Sequence, residues 1–148
     1  MSYNNALSVY QDVRIKTASQ GQLIIMLYDE IIKNINNGIE LLELNANGKK
    51  DPSRIEKINK SILKAQEVIT ELMVSLDFEE GGEIAKNLFS LYTWFNQELI
   101  EGNIKQDAER LISVRNMITD LRSACNEIID RTASDNLGKI VGGVSIEG

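Results

Sequence analysis

The sequence predicts an all-α protein folded as an antiparallel, up-down four-helix bundle, preceded by a short amphipathic lead-in helix and followed by a flexible tail. Three observations predict it. The composition holds a single Pro and few aromatics, among many Leu, Ile, Glu, Lys, Gln and Ala residues, which favour helix over strand. Apolar residues recur at three and four rather than at two, which is the period of a helix face. Short connectors rich in Gly, Asn and Asp separate the periodic stretches, so consecutive helices must run antiparallel.

The elements follow in order. Over residues 1–16, Ala6, Val9, Tyr10 and Val13 make one narrow apolar stripe, the pattern of a short amphipathic helix. The first long helix starts at Thr17 or Ser19, either able to cap free N–H groups, and runs to about Leu44, before "NANGKKDPS" breaks it. Asp51 caps a second helix with Pro52 at its first position, where a missing N–H costs nothing. Its seam reads Ile55, Ile58, Ile62, Ala65, Ile69, Leu72, Leu76.

Gly81-Gly82 in "SLDFEEGGEIA" interrupts that pattern as a connector. A third helix then carries Ile84, Leu88, Leu91, Phe95 and Leu99 and ends near Gly102-Asn103. The fourth, from about Lys105 to Arg131, carries Ala108, Leu111, Ile112, Ile118, Leu121, Cys125 and Ile128. The bundle domain is therefore expected over 1–132. The tail "SDNLGKIVGGVSIEG" lacks periodicity, and 133–148 is expected to be loose.

Composition narrows the function. The 148 residues suit one domain with one core. A formal charge of -6, with no Lys/Arg cluster beyond a pair, has the wrong sign for a phosphate backbone, so no nucleic acid is expected. No apolar run approaches the roughly 20 residues that span a bilayer, and "MSYNNALSVY" has no secretory pattern, so a cytoplasmic protein without membrane insertion is expected. The lone Cys125 forms no internal disulfide and lies on an apolar stripe, where it reads as a small core residue.

Histidine is absent, which removes the usual near-neutral base and the Ser-His and Cys-His dyads. Asp77, Glu79, Glu80 and Glu83 lack the ligand order of a calcium loop and read as a solvated helix start. Gly81-Gly82 lacks the lysine and preceding strand of a phosphate loop. No enzyme, metal or cofactor is expected.

Two places carry more apolar surface than a bundle helix needs. Leu23 to Tyr28 is apolar or aromatic without a break and covers nearly the whole circumference of the first helix. Tyr92, Trp94 and Phe95 spread around the third, so they cannot all face one core. Either the lead-in folds back over the first helix or an external partner covers it, and the two are compatible if they compete for one groove.

"TASQGQLIIMLYDEI" resembles the signature opening of the flagellin-specific export chaperones, the FliS family, in its TAS and LI-x-MLYD elements. The resemblance continues through KAQEVITEL, SLD, GGEIA-x-NL and LY in the second and third helices, and through "LRSAC" in the fourth, covering about residues 6–129. Gln20-Gly21 stands where the family commonly has Pro-Glu, Glu30 where it has Gly, and Cys125 where it often has Trp.

The resemblance implies a non-enzymatic chaperone in the cytoplasm of a flagellated bacterium. It would bind the disordered C-terminal segment of flagellin, one-to-one, prevent premature polymerisation and aid delivery to the flagellar type III export apparatus. Carried over by motif, the implied client contacts are Tyr10, Leu23, Met26, Leu27 and Tyr28. Ala65, Ile69, Leu72, Leu91 and Tyr92 follow, although core packing explains their spacing equally well. The alternative is a generic helical-bundle adaptor or self-associating interaction protein.

Overall fold

The computed structural model describes residues 20–48 and 50–131. Four helices account for nearly all of them, and no strand occurs among the described residues: α1 Gln20–Asn47, α2 Pro52–Val74, α3 Phe78–Lys105 and α4 Ala108–Arg131. The expected lead-in helix, the helix start at Thr17 or Ser19, Tyr10 and the expected loose tail lie outside the described residues.

Each connector stops one helix and starts the next by local chemistry. Before α2, the Asp51 carboxylate accepts from the Ser53 N–H at 3.0 Å and from its hydroxyl at 2.9 Å, with Pro52 in the first turn. Asn45 Oδ1 accepts from the Asp51 N–H at 3.3 Å and from Arg54 at 3.2 Å, binding the end of α1 to the start of α2. Asp77 caps α3 by accepting from the Glu79 and Glu80 N–H groups, both at 3.0 Å. Gln106, left-handed at φ 54, ends α3. The Asp107 N–H donates to Gly102 O at 2.8 Å, and its carboxylate accepts from the Glu109 N–H.

These tight turns leave the helices antiparallel and packed in a ring, α1 on α2, α2 on α3, α3 on α4 and α4 on α1, with the closest packing on the two sides of α1. The core runs down the middle. α1 contributes Ile24, Leu27, Tyr28, Ile31, Ile35, Ile39 and Leu42; α2 contributes Ile58, Ile62, Ala65, Ile69 and Leu72. α3 contributes Ala85, Leu88, Tyr92, Phe95 and Leu99, and α4 contributes Leu111, Val114, Ile118 and Cys125. Each large side chain withdrawn from water here is worth roughly 1.5–3 kcal/mol.

Several expectations are corrected in detail. The third helix begins at Phe78, ahead of the glycine pair, with a break at Gly82 (φ 51, ψ −125). Gly102 does not end it. It is buried inside α3, where a Cβ would stand 2.4 Å from Leu111 Cδ1, so the glycine is there to let α4 approach. The core face of α3 carries Ala85 and Tyr92, while Ile84 points outward and Leu91 sits at the edge. Ile55 and Ile128, expected on core stripes, are also exposed.

Candidate functional site

The chemistry of the interior is quiet. Tyr28 and Tyr92 share a hydrogen bond of 2.6 Å in the core. Burial pushes both phenols well above their usual pKa, and it raises the neighbouring Cys125 thiol as well. All three therefore stay neutral and unreactive near neutral pH. No group of three or more His, Cys, Asp or Glu side chains comes together to hold a metal among the described residues. No helix among them is long and apolar enough to cross a membrane.

Of the side chains singled out from the sequence, Leu23, Leu27, Tyr28, Ala65, Ile69, Leu72 and Tyr92 are fully buried. Met26 and Leu91 are half-buried. Tyr10 lies outside the described residues. The structure brings Tyr28 and Tyr92 into contact, and Leu27, Tyr28, Ala65, Ile69, Leu72 and Tyr92 into one core.

The surfaces between helices differ sharply in character. Beside α1 they are polar. Arg122 of α4 holds Asp29 side-on, Nε donating to Oδ1 and Nη2 to Oδ2, and Arg115 donates to Asn36 at 3.1 Å. On the α2 side, Asn37 donates to the Ser61 hydroxyl at 2.5 Å, beside a depression lined by Glu30, Lys33, Asn34, Glu40 and Lys64.

Beside α3 they are apolar. Arg110 of α4 meets Glu98 of α3 at 3.0 Å and so fixes the antiparallel register of these two helices. In that register Trp94 falls opposite Met117, Leu91 opposite Leu121 and Ile84 opposite Ile128. Ile84, Trp94, Met117 and Ile128 are exposed, and Leu91 and Leu121 half-buried. Trp94 rests its ring on buried Phe95, centroids 5.9 Å apart, and keeps 37% of its surface open. One apolar strip thus runs along the α3–α4 groove.

A second strip runs along the other flank. Asn103 donates to Asn59 at 2.8 Å, Gln66 to Asn96 O at 3.3 Å, and Asn96 to Thr70 at 3.3 Å, which sets the α2–α3 register. Ile104 then falls near Ile55, Ile100 near Leu63 and Phe89 near Val74. All six are exposed, Val74 and Ile104 most of all at 81% and 72%. Ile55 and Ile104 line one depression of about 520 Å³. Leu63 and Val74 line another of about 350 Å³ over α2. Exposed apolar side chains gathered along one groove mark an interaction site more often than scattered ones do.

The sequence singled out α3 through Trp94 and Leu91 but not the residues of the second strip. The signal was available. Phe89, Ile100 and Ile104, with Thr93 and Asn96 between them, continue at three and four around α3 on a face distinct from the core stripe.

The family model described as "Flagellar protein FliS" matches residues 3–132. The chain is 28% identical to the flagellar secretion chaperone FliS of Bacillus subtilis (strain 168), over 98% of this chain and 100% of that protein. It is 31% identical to the flagellar secretion chaperone FliSB of Pseudomonas aeruginosa, over 83% of this chain and 94% of that one. It is also 29% identical to the flagellar secretion chaperone FliS of Salmonella typhimurium, over 77% and 79%.

Proposed function

The chain belongs to the FliS family of flagellar proteins, and from that premise we propose that it is an export chaperone for flagellin, holding the subunit's C-terminal segment one-to-one in the cytoplasm. The family is one of flagellar secretion chaperones and not of enzymes, and a chaperone role in flagellar export follows from membership. Within that role the bound segment is kept from premature polymerisation and is delivered to the flagellar type III export apparatus.

One observation carries the reading: two exposed apolar strips flank α3, one along each groove. A disordered client could fill both by folding amphipathic segments into them, and the entropy it loses on ordering offsets much of a large interface. Extensive coverage is then compatible with release during export. Among the contacts proposed from the sequence, Met26 and Leu91 have surface to offer directly. Leu23, Leu27, Tyr28, Ala65, Ile69, Leu72 and Tyr92 would act from beneath, by fixing the helices that present the grooves. Tyr10 remains a proposed contact.

The test is a calorimetric titration of the full chain with the C-terminal segment of flagellin from the same organism, beside a segment from flagellin's N-terminal end. One-to-one binding of the C-terminal segment alone, with a negative heat-capacity change, is the expected result. No binding of either segment to the folded protein would overturn the reading. Concentration-dependent self-association in sedimentation would then point to a bundle whose apolar strips pair with a second copy.

A further inference from the structure

Phe78 opens α3, and Phe89 follows eleven positions later. In an uninterrupted helix the two would stand roughly 16 Å apart along the axis. Their ring centroids are 5.9 Å apart, with the planes at 64°, edge to face. Helical side chains all lean toward the N-terminus, so both rings would tilt the same way and tilting cannot close that gap. The contact requires the first turn to be bent sharply out of line with the body of α3.

The bend occurs at Gly82. Its φ of 51 and ψ of −125 are values that a residue with a side chain rarely adopts. A Cβ built there would meet nothing within 4 Å, whereas Gly81 beside it is buried. The turn ahead of it is self-contained. Asp77 caps the Glu79 and Glu80 N–H groups, and the Gly81 N–H donates to Asp77 O at 2.8 Å. None of these bonds needs to break for the turn to swing about Gly82. What ties it down on the Phe89 side is a contact between two half-exposed rings, 46% and 42% open.

We propose that the Asp77–Gly81 turn is a hinged flap, and that in the free protein Phe78 fills a seat beside Phe89 that receives an aromatic side chain of the client. The inference rests on the chaperone reading and deepens it. The occupant's chemistry is read from the ring already seated there. Client and flap compete for one position on the α2–α3 strip, so the free protein covers part of its own apolar surface and uncovers it on loading.

Two variants open the flap by different means, Phe78→Ala by removing the plug and Gly82→Ala by favouring ordinary helical backbone at the hinge. Both are expected to keep the helical circular dichroism of the parent and to bind the C-terminal flagellin segment roughly three- to tenfold more tightly, since the fraction of protein with an open seat rises. Phe89→Ala removes the seat and is expected to weaken binding about tenfold. Tighter binding by neither flap variant, while the parent binds normally, overturns the flap and leaves the chaperone reading intact. If the parent binds no flagellin segment, the seat is tested with N-acetylphenylalaninamide at millimolar concentration. Selective shifts of the Phe89 ring signals in both flap variants, larger than in the parent, support the seat. Their absence overturns it.

Discussion

The phenolic oxygens of Tyr28 in α1 and Tyr92 in α3 lie 2.6 Å apart, a hydrogen bond across the bundle between helices that are not packed side by side. Each ring is almost wholly buried, and Cys125 of α4 adjoins the pair, so three helices meet at one small polar point in an apolar core. Removing either hydroxyl deletes this buried hydrogen bond, while Cys125 stays beside the remaining phenol. Tyr28→Phe or Tyr92→Phe is expected to cost about 1–3 kcal/mol in urea unfolding, and the double variant less than the sum of the two. Strict additivity would show that the hydroxyls are not coupled.

The same pair, with the adjoining Cys125 thiol, contributes to the alkaline limit of stability. Both phenols have a pKa raised above that of the unfolded chain, mainly by burial, so the folded state holds their protons more tightly. Their contribution is complete below the ordinary tyrosine pKa of about 10 and is lost as pH rises beyond it. Unfolding free energy measured from pH 8 to 11 should decline at the upper end, and the Tyr28→Phe/Tyr92→Phe variant should decline less.

Leu111 packs against two glycines. A Cβ at Gly102 would come within 2.4 Å of its Cδ1, and one at Gly38 within 3.3 Å of its Cδ2. Leu111 is fully buried and has little room to move aside. Gly102→Ala is expected to destabilise by about 1–3 kcal/mol, the usual range for overpacking, and Gly38→Ala by less. Combining Gly102→Ala with Leu111→Ala should cost less than the two separately, because the clash disappears with the leucine. A fully additive double variant would count against that packing.

Trp94 is the only tryptophan, and it stands in the α3–α4 groove. Its fluorescence therefore reports on occupation of that groove. Loading with the flagellin C-terminal segment should shift its emission to the blue. Trp94→Ala should weaken binding about tenfold or more while changing stability little, as for an anchor residue at an interface. An unshifted emission at saturation would mean that the client does not enter this groove.

The sequence by itself determined the four helices and the sharpest of their ends, the start of α2. Helix period, the cap at Asp51, and Pro52 are local features, and the cap's hydrogen bonds form within a few residues of where it is written. It also determined that α3 carries more aromatic surface than one core can absorb, since Tyr92, Trp94 and Phe95 diverge by helical geometry alone. Which apolar residues are covered was decided by the tertiary structure. Leu27 and Tyr28 look like spare surface in the sequence and are buried, because α1 is the helix most closely flanked by its neighbours. Ile100 and Ile104 look no different and are exposed, because α3 is more loosely flanked on both sides. Likewise Gly102 reads as a stop and is instead the place where Leu111 approaches, a fact that depends on a residue from another helix. Burial is a property of pairs of elements. A single stretch of sequence records what each helix offers, and only their packing decides what the others accept.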